Sequence, residues 1–204
     1  MNSDLGFTHI FQPSPSGAQR VLLVLHGTGG DETSLLPIAK LIDPEAAILS
    51  VKGKVLENGA PRYFRRLAEG VFDMEDLHFR TQELADFVAE AKVFYCLNPD
   101  QIMAVGYSNG ANIAASLLLA RPETINGGIL LRAMVPFEPP SLNNLRSKRI
   151  FISEGQFDPI VPTEHGTRLA ELFRERGADV TLLWNETDHR LSQSEIKAAK
   201  EWLG

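Results

Sequence analysis

A serine flanked by two glycines separates an apolar run from a stretch of small residues. The pentapeptide GYSNG, residues 106–110, follows the apolar residues 102–105 and precedes the helix-forming residues 111–120. Between a strand and a helix, the spacing G-x-S-x-G places the serine on a sharp, strained turn, with its hydroxyl projecting beyond the end of the strand. The flanking glycines leave room where a Cβ would obstruct the turn. Ser108 is therefore a candidate nucleophile.

A serine hydroxyl needs a base to take its proton, and histidine has an ordinary pKa near working pH. Of the five histidines, His26 and His189 lie at or just after the end of a predicted strand. His189 follows the last predicted strand and Asp158 the penultimate one. An aspartate in that place would orient the imidazole and stabilise its charged form. Ser108, Asp158 and His189 also occur in the chain order of one known type of catalytic triad.

Other residues could take these roles. Glu154 lies at the end of the penultimate strand, whereas Asp188 adjoins His189, and neighbouring side chains rarely face each other. His26 precedes a glycine turn, where shaping the backbone is the usual role. Asp158 could also be a turn residue, because it precedes a proline, and His189 could be a solvated loop histidine.

The oxyanion of a tetrahedral intermediate needs two hydrogen-bond donors. One is the backbone N–H of the residue after the nucleophile, Asn109, and the other comes from the first strand–helix loop. That loop is HGTGG, residues 26–30, and Thr28 is the predicted second donor. Phosphate binding is disfavoured, because the loop lacks the Lys-Ser/Thr of a P-loop and the G-x-G-x-x-G spacing. The acids Asp31 and Glu32 would also repel phosphate.

Strands and helices alternate along the chain, which predicts an α/β architecture with a mostly parallel central sheet. Continuous apolar runs such as RVLLVLH indicate strands buried on both faces. Strands are predicted over residues 7–11, 20–26, 46–51, 102–105, 127–131, 149–153 and 180–184. Helices are predicted over residues 34–41, 79–95, 111–120 and 163–176, and from Ser192 onward. Sites in such sheets lie at the carboxyl ends of the strands, where the candidate residues fall.

Two irregular segments are candidates for the substrate pocket. Residues 52–76 are predicted to form a long loop, and such loops are usually functional or mobile. Its arginines at positions 62, 65 and 66 would favour an acidic ester if they face the site, although plain surface charge is the alternative. Residues 133–145 form a proline-bearing connection that lines an acyl pocket or belongs to the core. The predicted pocket residues are Arg62, Phe64, Arg65, Met134, Val135 and Pro136.

Composition excludes several classes of partner. The net charge of −6 and the pI of about 5.4 argue against nucleic acid. No apolar run approaches the roughly 20 residues of a membrane span, and the N-terminus lacks the features of a secretory signal. A single cysteine, Cys96, excludes an internal disulfide and favours a reducing, cytoplasmic location. We expect residues 1–204 to form a single domain.

Five stretches resemble the phospholipase/carboxylesterase family of α/β hydrolases. They are LLVLHGTGGDE, ILSVKGKVLENGAPRYFRRLAEGVFD, IMAVGYSNGANIAASLLL, ILLRAMVPF and GQFDPIVP. Within the family the chain most resembles bacterial hydrolases linked to hydroquinone and quinone degradation. The resemblance implies a compact, lidless α/β-hydrolase fold with helices on both faces of the sheet, no metal and no organic cofactor. It also implies small-molecule ester substrates and, often, a homodimer.

One departure from the family lies at the histidine. In relatives, glycine often precedes this histidine and a small residue follows it. Here the sequence is Thr187-Asp188-His189-Arg190, which suggests a more polar and narrower pocket.

These observations predict a serine carboxylic-ester hydrolase that forms an acyl-enzyme on small to medium esters, with a link to aromatic-compound degradation. Thioester or lysophospholipid hydrolysis by the same machinery is an alternative. A non-catalytic binding protein of the same fold is another. The neighbouring class with a cysteine nucleophile is disfavoured, because the turn holds Ser108 and Cys96 lies at a helix end.

Overall fold

The computed structural model describes residues 5–139 and 143–204. The strands are β1 (His9–Gln12), β2 (Val21–Leu25), β3 (Ala47–Val51), β4 (Val55–Glu57), β5 (Ala60–Arg62), β6 (Arg66–Ala68), β7 (Val71–Phe72), β8 (Ile102–Tyr107), β9 (Gly127–Leu131), β10 (Arg149–Gly155) and β11 (Asp179–Asn185). The α-helices are α1 (Leu36–Ile42), α2 (Met74–Phe94), α3 (Asn109–Ala120), α4 (Thr163–Glu175) and α5 (Gln193–Leu203).

Seven strands form one sheet in the order β1-β3-β2-β8-β9-β10-β11. Every neighbouring pair is parallel except β1 with β3, which confirms the predicted mostly parallel sheet. At the carboxyl ends, Leu25 of β2 pairs with Gly106 of β8, and Tyr107 pairs with Leu131 of β9. The loops that leave these central strands therefore meet at one edge of the sheet.

The alternation of side chains along the strands produces two separate cores. In β2, Val21, Leu23 and Leu25 face a core shared with α2, α3 and α4. Leu22 and Val24 face the opposite core, which contains residues of α1 and α5. Because both faces of the sheet are covered, the central strands can be apolar at every position. The predicted helices on both faces are confirmed.

The segment predicted as irregular, residues 52–76, contains two small hairpins. β4 pairs with β5 and β6 pairs with β7, both antiparallel. Asn58 and Gly59 join β4 to β5 with φ of 51° and 82°, the left-handed backbone that a tight hairpin turn requires. Helix α2 also begins at Met74, five residues before the predicted start, because the Asp73 side chain caps it by accepting from the Asp76 N–H.

The proline-bearing connection predicted over residues 133–145 is described except for residues 140–142, which lie outside the described residues. Within the described part of the chain, no helix combines the length and the apolar character needed to cross a membrane.

Candidate active site

Ser108 occupies a strained turn between β8 and α3, with φ of 52° and ψ of −115°. Both glycines of the motif are required by close packing. A Cβ on Gly106 would lie 2.6 Å from the Gly110 carbonyl oxygen, and a Cβ on Gly110 would lie 2.0 Å from the Leu25 carbonyl oxygen. Because helix α3 starts directly against the end of β2, the backbone projects the Ser108 side chain into the cleft at the sheet edge.

His189 bridges Ser108 and Asp158. Its Nε2 lies 3.0 Å from Ser108 Oγ, and its Nδ1 lies 2.7 Å from Asp158 Oδ2. A carboxylate only accepts hydrogen bonds, so Nδ1 carries the proton and Nε2 can accept from the serine hydroxyl. The Asp158 side chain is fully buried, and its other oxygen accepts from the N–H groups of Ile160 at 2.8 Å and Val161 at 3.0 Å. These bonds fix the carboxylate behind the imidazole.

Three consecutive carbonyls of the loop carrying His189 are held by side chains from neighbouring strands. Tyr107 donates its hydroxyl to the His189 carbonyl at 3.0 Å. Arg132 donates Nε to the Asp188 carbonyl at 3.1 Å and Nη2 to the Arg190 carbonyl at 2.7 Å. The backbone on both sides of the imidazole is therefore anchored to the ends of β8 and β9.

Arg132 is fully buried and uses all five of its N–H donors. Besides the two loop carbonyls, it donates to the Ser153 carbonyl at 3.1 Å and to both Glu195 oxygens at 2.7 and 3.0 Å. Burial by itself would raise the pKa of Glu195. Hydrogen bonds from Arg132, the Ser192 N–H and Ser153 outweigh this effect, so the pKa of Glu195 is lower than its ordinary value.

Sequence reasoning gave Arg132 no role. The available signal was a charged residue inside the apolar run ILLRAM, at a strand's carboxyl end.

The two alternative candidates for the orienting acid, Glu154 and Asp188, form hydrogen bonds to other groups. Glu154 accepts the Ala133 N–H at 2.9 Å, and burial raises its pKa well above the ordinary value, which favours the uncharged acid. Asp188 accepts the backbone and side-chain N–H groups of Arg190, whose side chain is 88% exposed. Neither residue lines the cleft. The Asp188–Arg190 pair therefore does not narrow the cleft, contrary to the expectation from the departure at the histidine.

His26 is buried in the backbone turn and does not face the serine. Its Nδ1 donates to the Gly27 carbonyl at 2.7 Å, and its Nε2 accepts the Gly53 N–H at 3.0 Å. Burial lowers the pKa of His26, which keeps the ring neutral. This side chain shapes the loop that carries Thr28.

Thr28 and Asn109 both line the cleft beside Ser108. As the first residue of α3, Asn109 has a backbone N–H without a partner inside the helix. The Thr28 N–H has no acceptor among residues 5–139 and 143–204. The next residue holds the loop in place, because the Gly29 N–H donates to the Pro61 carbonyl at 2.9 Å.

The cleft has a volume of about 390 Å³. Two of the six predicted pocket residues, Arg62 and Met134, line it together with Arg66, Phe72, Ile160 and Val161. The other four do not. Phe64 and Pro136 are buried in the interior, Arg65 is 59% exposed beside Asp73, and Val135 packs against the core. Sequence spacing could not distinguish Arg62 from Phe64 and Arg65, because the two hairpins that flank this segment decide which side chains turn inward.

A mostly parallel sheet with helices on both faces, and a strained serine after a central strand, define the α/β-hydrolase fold. The chain belongs to the phospholipase/carboxylesterase family, whose model matches residues 9–204. It is 45% identical over 194 residues to "Putative hydrolase MhqD" of Bacillus subtilis (strain 168), covering 95% of this chain and 96% of that protein.

Two solved carboxylesterases have similar structures. The Bacillus cereus carboxylesterase is 48% identical with a TM-score of 0.94, over 96% of this chain and 92% of that one. The Mesorhizobium loti carboxylesterase is 29% identical with a TM-score of 0.93, over 98% and 96% of the two chains. The chain is accordingly an enzyme of the carboxylesterase class.

Proposed function

We propose that this enzyme hydrolyses carboxylic esters through an acyl-enzyme on Ser108, with His189 as the base and Asp158 as its orienting acid. The observation that carries the proposal is the pair of hydrogen bonds by which His189 bridges Ser108 and Asp158. Nucleophile, base and orienting group stand within hydrogen-bond reach, which is the geometry that activates a serine hydroxyl.

In acylation, Ser108 Oγ attacks the ester carbonyl carbon while its proton passes to His189 Nε2. The resulting oxyanion accepts hydrogen bonds from the backbone N–H groups of Thr28 and Asn109. The imidazolium, stabilised by Asp158, then gives its proton to the leaving alcohol oxygen as the C–O bond breaks. In deacylation, His189 takes a proton from water, the hydroxide attacks the acyl carbon, and the acid leaves as Ser108 regains its proton.

Replacing the nucleophile tests the proposal directly. We expect Ser108→Ala to lower kcat for 4-nitrophenyl acetate by a factor on the order of 10⁴ or more, because no other group can form the acyl-enzyme. Wild type should be labelled by a fluorophosphonate probe and the variant should not. A non-catalytic binding protein would not be labelled in either form. Turnover retained by purified, folded Ser108→Ala protein would exclude Ser108 as the nucleophile.

The acid can be tested separately from the nucleophile. Asp158→Asn keeps the side-chain shape but favours the wrong imidazole tautomer, so we expect kcat to fall on the order of 10³- to 10⁴-fold. Glu154→Gln is the matched control, because Glu154 belongs to the same strand–loop segment and does not touch His189. The assignment is wrong if Glu154→Gln lowers kcat steeply and Asp158→Asn leaves it near wild type.

The size and lining of the cleft support small to medium esters. Phe72 and Met134 supply apolar surface that suits a single aromatic ring, in keeping with the proposed link to aromatic-compound degradation. Thioesters and lysophospholipids would use the same machinery. A panel of esters, thioesters and lysophospholipids of increasing chain length distinguishes these substrates by kcat/KM.

The proposed cytoplasmic location rests on the single cysteine, and the proposed homodimer rests on the family resemblance alone. Sedimentation equilibrium of the purified chain tests the dimer.

A further inference from the structure

Two guanidinium groups form one wall of the cleft. Arg62 is only 4% exposed, and its Nη1 donates to Thr28 Oγ1 at 2.7 Å, so it adjoins the loop proposed to hold the oxyanion. Its Nε donates to the Phe64 carbonyl at 3.3 Å. Arg66, four residues further, also lines the cleft and is 29% exposed. A buried arginine in contact with the Ser108 cleft needs a partner of opposite charge.

The two arginines share one carboxylate, which lies outside the cleft. Glu57 is 3.2 Å from Arg62 Nε and accepts from Arg66 Nε at 2.8 Å. Within the described residues, Arg62 Nη2 and both Nη atoms of Arg66 have no hydrogen-bond partner. Burial, and next the charge of Arg66, lower the pKa of Arg62. Glu69 is exposed at the rim and forms no ion pair with either arginine.

We infer that Arg62 and Arg66 form a carboxylate-binding subsite, so that the preferred substrates are small esters carrying a free carboxylate. The inference rests on the proposed esterase function. Guanidinium groups match carboxylates by paired N–H donors, and such charge-assisted bonds are strongest where water is excluded. Arg132, the third arginine of the cleft, is not part of the subsite, because all five of its donors are used within the protein.

The neighbouring Arg65 provides a matched control. It belongs to the same segment and carries the same charge, but it is 59% exposed and pairs with Asp73 at 3.1 Å. It does not line the cleft. Arg65→Gln therefore removes one positive charge from the same region without touching the proposed subsite.

The test compares two pairs of esters with matched shapes. Mono-4-nitrophenyl succinate and 4-nitrophenyl 4-methylpentanoate differ in a carboxylate on the acyl side. Sodium 4-acetoxybenzoate and 4-acetoxybenzamide differ in a carboxylate on the alcohol side. For each pair the readout is the ratio of kcat/KM values, carboxylate ester over neutral ester, in each variant relative to wild type. Dividing by the wild-type ratio cancels the different chemical reactivity of the two esters.

For one of the two pairs, we expect Arg66→Gln to lower this ratio about 10- to 100-fold, mostly through KM, and Arg62→Gln to lower it similarly. Arg65→Gln should leave both ratios within about twofold of wild type. The pair that responds identifies the side of the ester that carries the carboxylate. Ratios unchanged in Arg66→Gln for both pairs, or lowered equally by Arg65→Gln, would overturn the subsite.

Binding of succinate to Ser108→Ala protein, followed by calorimetry, tests the subsite without turnover. We expect the Kd to rise about 10-fold or more when Arg66→Gln is added to Ser108→Ala, and not when Arg65→Gln is added. Absence of ester turnover with this binding pattern would contradict the proposed function and leave the subsite standing. Turnover of neutral esters, with no succinate binding and no change in either kcat/KM ratio, would contradict the subsite and leave the proposed ester hydrolysis standing.

Discussion

One buried arginine, together with Tyr107, connects the loop that carries His189 to the neighbouring strands. Arg132 contacts the carbonyls on both sides of His189, and its charge is balanced by Glu195, which lies in the first turn of α5. The side chain does not reach the Ser108 hydroxyl in this arrangement, so we regard it as a positioning residue. A shift of about 1 Å in a catalytic group can lower a rate on the order of 100-fold.

Arg132→Lys keeps the charge but supplies three donors in place of five. It cannot bind both Glu195 oxygens and both loop carbonyls, so we expect kcat for a neutral ester to fall about 10- to 100-fold with little change in KM. We also expect Tm to fall, because a buried ion pair loses part of its hydrogen bonding. Activity should be measured well below the Tm of the variant. Arg149→Lys, remote from the cleft, is the control.

A merely structural role for Arg132 makes a different prediction. In that case the Tm would fall while kcat of the folded variant, and the pH dependence of kcat/KM, would match wild type.

The sequence was sufficient to nominate Ser108, Asp158 and His189, because each has a distinctive residue type at the end of a strand. It could not assign Arg132, whose partners Asp188 and Glu195 lie 56 and 63 positions away. Such contacts are created by the order of β8, β9 and β10 in the sheet, and residue spacing along the chain does not contain that order.

At the level of elements, the β4–β5 hairpin supports the loop that carries Thr28. The Pro61 carbonyl accepts the Gly29 N–H, and Arg62, the last residue of β5, donates to the Thr28 hydroxyl. The hairpin therefore links a short surface element to the proposed oxyanion site. Its turn depends on Gly59, whose φ of 82° is unfavourable for any residue with a Cβ.

Gly59→Ala tests this link, since the added Cβ meets no atom within 4 Å and the effect is confined to backbone strain. We expect a loss of about 1–2 kcal/mol in unfolding free energy, and a severalfold decrease in kcat as the Thr28 loop loosens. Gly17→Ala is the matched control, with φ of 78°, open space around its Cβ and a position away from the cleft. Equal Tm losses with equal kcat values in the two variants would show that the hairpin does not position the loop.

The prediction of the main elements succeeded because buried strands and amphipathic helices leave long, periodic patterns. The hairpins were missed because their strands have only two or three residues each and half-exposed sequences. Asn58-Gly59 was a usable signal, since this dipeptide favours the tight turn of a hairpin. No comparable signal shows that this hairpin packs against residues 26–30, because the contact is long-range.

At the scale of the whole molecule, buried ionisable groups make stability depend on pH. Arg132 and Glu195 neutralise each other between the sheet and α5. Glu154 has no comparable partner: its Oε1 accepts the Ala133 N–H, and its Oε2 has no hydrogen-bond partner in the described residues. Burial dominates, and the pKa of Glu154 is raised well above its ordinary value of 4.5. The folded state thus retains a proton that the unfolded chain releases.

The sign of the effect follows from this difference in bound protons. Above pH 4.5 the unfolded chain gains stability by ionising Glu154, so the contribution of this residue to folding falls by about 1.4 kcal/mol per pH unit until its folded-state pKa is reached. Glu154→Gln keeps an acceptor for the Ala133 N–H and removes the titration. We expect the variant to have the higher Tm at pH 7, by about 2–4 °C for each kcal/mol recovered.

Thermal unfolding of both proteins from pH 4 to pH 8 measures this contribution, because every other group titrates alike in the two and cancels in the Tm difference. The difference should grow as pH rises above 4.5 and level off where the folded protein ionises Glu154. Near pH 4 both side chains are neutral and the gain should vanish. A Tm difference that is constant with pH would mean that folding does not change the pKa of Glu154. A difference that favours wild type increasingly as pH rises would mean that Glu154 is ionised in the fold and stabilised by Arg132.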